Sequence, residues 1–380
     1  MKKIAILTWL HNGNYGTVLQ AYALQKFLRN EGYNVQNIDL LPTVVQKFLN
    51  LIKQGNPPYL FLEKLEGYLA RRACPNPISL KVRDGKFNNF LKENLNLTKR
   101  YSVFSDLKEL KNMYDVYICG SDQIWSPTYF SPSYFLDFTD NDRKRIAYAC
   151  SFGINEIPVR KTERTRKLIE RFNAVSVREE SGRTIISKLM DKDVRVNVDP
   201  TFLLNEDNWK EVVADRIVED NYIFCYFLSY NHNYWVKVQQ IADDKKLKLV
   251  LVPTTKETYN IDARIFADAG PSEWLSLIKH ASLVATDSFH CCVFSIIHRR
   301  NFMVFKRFSD KKSNSRNTRV YNLLNTYELG QCLVDILDQY EPTAITKERY
   351  DRVLSEVEKN VKGSKNWLTK SIDEDISFPF

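Results

Sequence analysis

The chain has 380 residues, of which 44% are hydrophobic and 27% are charged, a composition that is ordinary for a globular protein of two domains. Its formal net charge of +9 leaves an anionic substrate, a membrane surface or nucleic acid as the class of partner. Basic residues are spread along the chain without a zinc-finger, RRM or helix-turn-helix signature, so we expect no nucleic acid.

The first predicted elements form a strand–loop–helix–strand unit. Lys3–Thr8 and Asn34–Asp39 have the apolar, β-rich character of strands, and Thr17–Asn30 has apolar residues at helical spacing. A βαβ unit predicts a parallel sheet. The loop between the first strand and the helix is rich in Gly and Asn, so its backbone can approach a ligand, but it lacks the GxGxxG pattern of dinucleotide-binding loops.

Residues 42–112 are less regular, because prolines at 57, 58, 75 and 77 interrupt any long helix. Within this segment apolar residues recur at helical spacing with two lysines nearby: Val44, Val45, Phe48, Leu49, Ile52, Lys47 and Lys53. Such an amphipathic helix fits either a membrane surface or the protein's own core, and packing on the core is favoured.

A regular α/β rhythm follows in two series. The first predicts strands at Val116–Cys119, Arg145–Ser151, Ala174–Val177 and Val194–Val198, with helices at Arg160–Phe172 and Ser181–Leu189. The second predicts strands at Tyr222–Leu228, Leu249–Pro253, Leu283–Thr286 and Phe302–Phe305, with helices at Asn231–Lys246, Pro271–Ala281 and Phe289–Ile297. We expect one domain over residues 1–205, a second over 206–340, and a charged C-terminal helix within 341–380 that fits packing back on the first domain.

The segment Leu283–Ile297 is the most informative of the chain. A short apolar strand is followed by Asp287 and Ser288, both good helix N-cap residues, and then by a helix that is apolar almost all round. His290 therefore falls in the first turn of a buried helix, just past a strand's carboxyl end, where open α/β sheets bind ligands and helix N-termini favour anions. It is a candidate proton donor, and the alternative is a core histidine.

Other polar residues also follow predicted strands. Arg178 suits a carboxylate or phosphate, with a salt bridge to Glu179 or Glu180 as an equal alternative. Asp199 could act as a base or hold a ligand hydroxyl, but an Asp before Pro is a common turn former, and that alternative is favoured.

Two further groups complete the candidates. Lys306, Arg307 and Arg319 form a basic cluster in the second domain, for which a solvated basic face is the alternative. Ser121, Asp122 and Gln123 form a polar loop after a buried strand, and Trp125 fits stacking on a sugar ring and a place in the core equally well. Candidates from both halves follow strand ends, so a ligand is expected in the cleft between the domains.

The seven cysteines have no paired spacing, and five of them lie in apolar runs: Cys119, Cys150, Cys225, Cys291 and Cys292. The odd count and this placement indicate buried thiols in a reducing compartment. Cys291 and Cys292 do not have zinc-ligand spacing, so we expect no metal. The short apolar run at the N-terminus leads into a polar loop rather than a cleavage site, and we expect a cytoplasmic protein, with peripheral contact at the inner face of the membrane as an option.

Six segments, spread over roughly residues 2–325, resemble blocks of one family in their order. They are NGNYGTVLQAYALQKFLRNEGY (12–33), YDVYICGSDQIWSP (114–127), VSVREESG (175–182), VDPTFLL (198–204), TDSFHCCVFSI (286–296) and TRVYNLL (318–324). Together they are similar to the polysaccharide pyruvyl transferase family. The resemblance implies two Rossmann-like domains in a GT-B-like arrangement and transfer of pyruvyl from phosphoenolpyruvate to a sugar, usually as a cyclic ketal.

The resemblance also assigns residues. It implies that Asn14, Tyr15 and Gly16 of the opening loop contact substrate, together with the polar loop, Arg178, Lys306 and Arg319 described above. Some members have an arginine two residues before the signature histidine, and here Ser288 takes that place among the donor contacts, as in the SFH-motif subgroup. No cofactor is implied beyond phosphoenolpyruvate as donor.

Three functions fit the sequence. The leading one is pyruvyl transfer to a cell-surface glycan or its lipid-linked oligosaccharide precursor. The second is a GT-B-type nucleotide-sugar glycosyltransferase, which would need an acidic residue on the donor ribose that the second domain does not clearly supply. The third is a non-catalytic glycan-binding or assembly protein, in which His290, Arg178 and Arg319 would be dispensable.

Overall fold

The computed structural model describes residues 1–55, 75–191, 193–307, 317–334 and 344–374. Predictions that fall on residues 56–74, 335–343 and 375–380, including part of the irregular segment and the start of the charged C-terminal helix, lie outside the described residues. The chain divides into two units. Unit 1 comprises Met1–Lys64, Leu91–Leu204 and Lys359–Phe380, and unit 2 comprises Leu65–Phe90 and Asn205–Glu358.

Unit 1 is built on a parallel sheet whose described strands have the order β2-β1-β3-β4-β5-β6. These strands are β1 (Lys3–Leu7), β2 (Asn34–Asn37), β3 (Val116–Cys119), β4 (Lys144–Cys150), β5 (Ala174–Val177) and β6 (Arg195–Val196). Every residue of β3 and β5 is buried, as expected for strands covered by helices on both faces. The helices of this unit are α1 (Tyr15–Asn30), α2 (Val44–Lys53), α4 (Val159–Ile169) and α5 (Glu180–Met190), and α3 (Pro77–Asn94) belongs to unit 2 as far as Phe90 and to unit 1 beyond it.

Unit 2 repeats the design with the strand order β12-β11-β10-β7-β8-β9. Its strands are β7 (Tyr222–Tyr226), β8 (Lys248–Leu251), β9 (Arg264–Ile265), β10 (Leu283–Thr286), β11 (Phe302–Phe305) and β12 (Leu333–Val334). The helices are α6 (Glu206–Lys210), α7 (His232–Lys245), α8 (Pro271–Lys279), α9 (Phe289–Ile297) and α10 (Thr318–Thr326), and α11 (Lys347–Asp373) ends the described chain. The two parallel sheets confirm the predicted α/β class with two Rossmann-like domains.

Helix α9 is apolar on all sides because it is buried on all sides. Phe294 packs edge-to-face against two tryptophans, with ring centroids 4.8 Å from Trp209 and 5.7 Å from Trp274. Aromatic contacts of this kind add to the free energy gained by burial alone. The packing fixes α9 directly after β10, and so fixes the position of its first turn.

The second half of α11 packs within unit 1. Ser364 Oγ accepts a hydrogen bond from the Val198 amide at 3.1 Å, and the Trp367 ring lies 6.3 Å from that of Tyr148. At the end of the helix, Lys2 and Lys144 both donate to the Ile372 carbonyl. A carbonyl in the last turn lacks an intrahelical donor, so the two ammonium groups satisfy it.

Helix α2 corrects one expectation. The stripe was expected to pack on the protein's own core, yet its residues Val44, Val45, Leu49 and Ile52 are between 51% and 64% exposed. The opposite side of the helix packs against the protein, since Leu51 is buried and Asn50 Nδ2 donates to the Phe130 carbonyl at 3.1 Å. None of the described helices combines the length and hydropathy that a membrane span requires.

Candidate functional site

Polar side chains gather where the strands of unit 1 end. The loops after β1, β3, β5 and β6 hold the predicted residues Asn14, Tyr15, Gly16, Ser121, Asp122, Gln123, Arg178 and Asp199. Because the described strands are all parallel, these loops leave the same edge of the sheet. The hydrogen bonds and ion pairs among these side chains show which of them form one cluster.

Arg178 lies buried among three carboxyl groups. Its Nη1 donates to Asp199 Oδ2 at 2.6 Å, while its Nε lies 3.6 Å from Glu179 Oε2 and its Nη2 lies 3.9 Å from Asp122 Oδ1. Burial acts to lower the pKa of the guanidinium, but the three carboxylates raise it above its ordinary value. Of the two salt-bridge partners predicted as alternatives, Glu179 therefore pairs with Arg178, whereas Glu180 is exposed.

Asp199 has all its acceptor positions in use. Oδ1 accepts from the amide and the hydroxyl of Thr201, at 3.0 and 2.8 Å, which caps the short 3-10 helix Pro200–Leu203. Oδ2 accepts from Arg178 and, at 3.4 Å, from Ser121 Oγ. Asp199 therefore has the role of a turn former rather than of a base, because a carboxylate held by four donors has no lone pair directed at a substrate.

Backbone strain marks the same edge. Asp122 has φ 76° and ψ 179°, a conformation that costs on the order of 1–3 kcal/mol for a residue with a side chain. Its carboxylate is fixed by Thr17 Oγ1 at 2.6 Å and by the Gln123 amide at 2.8 Å. Ala149, at φ 49°, lies in the register shift of β4 that faces this loop. Strained residues that the surroundings hold in place are concentrated at functional sites.

The opening loop is organised around the start of α1. Asn14 caps the helix, its side chain accepting from the Thr17 amide at 3.3 Å, and Asn12 donates to Thr17 Oγ1 at 3.0 Å. Tyr15 and Gly16 are buried in the first turn, whereas Asn14 is only half-buried. Of the three residues predicted to contact substrate in this loop, Asn14 is the one that is partly exposed to solvent.

Trp125 belongs to the core. It is 1% exposed, stacks on Phe135 with the ring centroids 5.0 Å apart, and donates from Nε1 to the Tyr134 carbonyl at 3.1 Å. With its faces and its only polar atom engaged, the indole offers nothing to a sugar, so that alternative is wrong. Gln123, in the same loop, packs against Gly153, where an added Cβ would lie 2.8 Å from the Gln123 Cδ.

One polar pair at this edge was not among the predicted residues. His11 Nε2 lies 2.5 Å from Asp39 Oδ1, and the two side chains are 9% and 7% exposed. His11 follows β1 and Asp39 follows β2, which are neighbouring strands. The signal in the sequence is a histidine just past one predicted strand and an aspartate at the end of the next, but only the pairing of the two strands brings them together.

In unit 2, Asp287 ties together two strand ends. Its carboxylate accepts from the Leu228 amide at 2.6 Å and from Ser229 Oγ at 3.0 Å. Burial raises the pKa of this carboxyl group, while these donors and the charge of Arg307 oppose the rise. Asp287 therefore fixes the loop from which Ser288 and α9 start.

His290 is the second residue of α9 and is 6% exposed. Its ring meets Phe289 edge-to-face at 5.2 Å, and the Arg319 guanidinium lies 5.9 Å from the same phenylalanine ring. His290 and Arg319 are thus both close to one aromatic ring. At the other end of α9, burial lowers the pKa of His298 to about 3 and keeps that ring neutral.

Lys306 lies at the same level of the sheet as Ser288. Thr286 and Val304 are partners in the parallel pair β10–β11, so Ser288 and Lys306 are each two residues beyond the matched pair. Lys306 is half-buried, and its carbonyl accepts from the Tyr234 hydroxyl. The edge of unit 2 therefore carries His290 with the cationic side chains of Lys306, Arg307 and Arg319, whereas the edge of unit 1 carries mainly carboxylates.

The cysteines predicted to be buried are buried: Cys119, Cys150, Cys225, Cys291 and Cys292. Burial raises the pKa of the two thiols beside His290, so both stay protonated and are poor metal ligands. Within the described ranges, no three His, Cys, Asp or Glu side chains are grouped so that they could hold a metal ion.

The sequence matches the model of the family described as polysaccharide pyruvyl transferase over residues 14–307. Among proteins of curated function, no match to the chain is significant. Solved structures resemble it over nearly the whole length. OtsA in its apo form has a TM-score of 0.54 at 7% identity, covering 98% of this chain and 99% of that chain.

Two other solved structures have lower scores. A glycosyltransferase from Rickettsia africae ESF-5 has a TM-score of 0.48 at 11% identity, with 97% and 98% of the two chains covered. The UDP-GlcNAc 2-epimerase from Methanocaldococcus jannaschii has 0.47 at 14% identity, with 93% and 92% covered. Identities this low show the fold alone, and the likeness to OtsA supports the GT-B-like class expected from the sequence.

The Arg178 cluster generates a prediction about stability. Arg178→Met should lower the free energy of unfolding by ~3–5 kcal/mol, because it leaves buried carboxylates without a counter-charge. Arg183→Met, which removes an exposed guanidinium paired with Asp193, should have a much smaller effect. Chemical denaturation followed by tryptophan fluorescence measures both, and an Arg178→Met protein as stable as the control would contradict a structural role.

Proposed function

Because the chain belongs to the polysaccharide pyruvyl transferase family, we propose that it transfers the pyruvyl group of phosphoenolpyruvate to a sugar of a cell-surface polysaccharide or its lipid-linked precursor, forming a pyruvate ketal. The observation that carries the proposal is the placement of His290. A buried histidine in the first turn of α9, with cationic side chains at the same sheet edge, suits proton transfer to an anionic donor.

The chemistry of the donor sets what the site must supply. Phosphoenolpyruvate carries a phosphate and a carboxylate, so it needs fixed cations or free backbone amides. Its methylene carbon must gain a proton before a hydroxyl oxygen can add to the neighbouring carbon, which calls for a general acid. Phosphate then leaves. The donor needs no further cofactor for these steps.

We assign His290 as the general acid. It lies beside amides of the first turn of α9 that have no intrahelical acceptor, and these favour an anion next to it. Ser288 stands where some family members have an arginine, so in this chain the positive charge must come from elsewhere. Lys306 is at the same level of the sheet and Arg319 lies close to the Phe289 ring, and we assign both to the donor's anionic groups.

Unit 1 has a different part in the proposal. Arg178 is surrounded by carboxylates, and Asp199 is held by four donors, so we assign both to the structure of the strand-end loops rather than to the donor. The half-buried Asn14 and the polar loop after β3 remain candidates for contacts to the acceptor glycan.

The exposed face of α2 supports peripheral contact with the inner face of the membrane, where a lipid-linked acceptor would be found. Val45, Leu49 and Ile52 lie at i, i+4 and i+7 on one side, and Lys47 and Lys53 are exposed on the same short helix. Apolar residues flanked by lysines are suited to an anionic lipid surface.

Donor identity can be tested by thermal unfolding. Phosphoenolpyruvate at ~100 times its dissociation constant should stabilise the protein by ~2.7 kcal/mol, whereas NAD and ATP should not, since the chain has neither a GxGxxG loop nor a P-loop. Differential scanning fluorimetry gives the shift in Tm. No shift with millimolar phosphoenolpyruvate, together with a clear one with UDP-sugars, would favour a glycosyltransferase.

The assigned roles separate in kinetics. His290→Ala should lower turnover by ~10²–10⁴ with little change in donor affinity. Arg319→Ala should mainly weaken donor binding, because it removes a charge-assisted contact worth ~1.5–3 kcal/mol. Steady-state phosphate release and donor titration measure the two effects. His298→Gln, which changes the other buried histidine of the α9 segment, is the matched control. Normal turnover by folded His290→Ala would return His290 to the core-histidine alternative.

Membrane contact can be tested by co-sedimentation with vesicles. The protein should bind phosphatidylglycerol vesicles more tightly than phosphatidylcholine vesicles, and Val45→Asp/Leu49→Asp should weaken that binding at least ~10-fold, since burial of each side chain contributes ~1.5–3 kcal/mol. Val159→Asp alters another exposed valine, at the start of α4, and should bind as the wild type does. Equal binding by both variants would rule out α2 as the contact.

A further inference from the structure

The pair His11–Asp39 has the geometry of a histidine oriented by a carboxylate. Burial acts to raise the pKa of Asp39, but the hydrogen bond and charge of His11, together with Arg100, hold it below its ordinary value. Asp39 is therefore ionised near neutral pH and can only accept hydrogen bonds. His11 must donate from Nε2, which leaves a lone pair on Nδ1 when the ring is neutral.

Asp39 is itself held in place from several sides. Its amide donates to Thr98 Oγ1 at 3.0 Å, its carbonyl accepts from the Tyr101 amide at 2.8 Å, and its second carboxylate oxygen accepts from Arg100 Nε at 3.1 Å. A histidine whose partner is fixed in this way has a fixed ring orientation and a fixed tautomer. Within the described part of the chain, His11 Nδ1 has no hydrogen-bond partner.

The surroundings of His11 suit a sugar. Trp9, two residues earlier, is half-buried and meets the half-buried Tyr129 edge-to-face, with ring centroids 5.5 Å apart. Partly exposed aromatic rings offer an apolar surface next to solvent, which suits a sugar ring with one apolar side and one hydroxylated side. The half-buried Asn14 follows in the same loop and supplies polar atoms. All of them lie at the carboxyl edge of the unit 1 sheet.

We propose that the loop after β1 binds the acceptor sugar, and that His11 takes the proton from its attacking hydroxyl while Asp39 orients the imidazole. The inference rests on the proposed function and adds the base that Asp199, with its four donors, cannot supply. The hydroxyl O–H bond breaks, its proton moves to Nδ1, and its oxygen forms a bond to the donor carbon that bears the phosphate. That carbon's neighbour has gained a proton from the general acid, and the C–O bond to phosphate then breaks. A second hydroxyl of the same sugar forms its bond to the carbon that phosphate has left, which completes the ketal, and the proton of this hydroxyl restores the general acid. The proton on the imidazolium leaves with the released phosphate.

The test compares His11→Ala, His11→Gln and Asp39→Asn with the wild type, using phosphoenolpyruvate and a panel of lipid-linked and free glycans, with UDP-sugars as a second donor. Both His11 variants should lose ~10²–10⁴ in turnover while the Tm shift with donor is unchanged. Millimolar imidazole should restore part of the turnover of His11→Ala, which a purely structural role would not allow. Asp39→Asn should lower turnover with little change in donor KM, because the amide can stabilise the wrong tautomer.

His232→Ala, which removes an exposed histidine at the start of α7, is the control and should behave as the wild type. Folding of each variant is checked by circular dichroism and melting, and His11→Gln serves where the alanine variant is unstable. Normal turnover of either folded His11 variant overturns the inference, and so does a loss that imidazole does not restore and Asp39→Asn does not share. If the wild-type protein uses only UDP-sugars, the proposed donor is wrong, and the turnover of the same variants with UDP-sugars then decides whether His11 is the base. A wild type inactive with every donor overturns both.

Discussion

The burial of one guanidinium constrains the functional edge of unit 1. Arg178 is buried, and carboxyl groups from the loops after β3, β5 and β6 surround its guanidinium. The Asp199 carboxylate satisfies Arg178 and caps the next turn at the same time. The loops can hold one shape because each of their charges is engaged, and the strained backbone of Asp122 is maintained by the same contacts.

In the proposed function, that arrangement gives the two units different roles. The centre of the unit 1 edge is occupied by its own ion pairs, which leaves the neighbouring strands β2 and β1 to present groups to a ligand. The edge of unit 2 has the opposite character, with basic side chains after β11 and at the start of α10. Basic groups suit a donor with two anionic groups, and a histidine paired with a carboxylate suits a neutral hydroxyl.

Sequence reasoning located the regular elements well where burial alone determines them. β3, β5, β10 and β11 begin and end at the predicted residues, since short apolar runs between polar loops leave little choice. It does not predict α3, because one of the prolines that indicate an interruption, Pro77, stands at the first position of this helix. It also missed the His11–Asp39 pair, because partners on two strands become visible only when the strand order is known.

The position of α11 has a consequence for the order in which the chain folds. β1 leaves the ribosome before the other described strands, while the turn whose carbonyl binds Lys2 and Lys144 is among the last described residues to be made. Both segments of unit 2 are synthesised between them. Unit 2 can therefore complete its sheet during translation, whereas unit 1 must wait with an uncovered surface until the final helix arrives. A ribosome that stalls before residue 359 would leave a folded unit 2 attached to an unfinished and aggregation-prone partner.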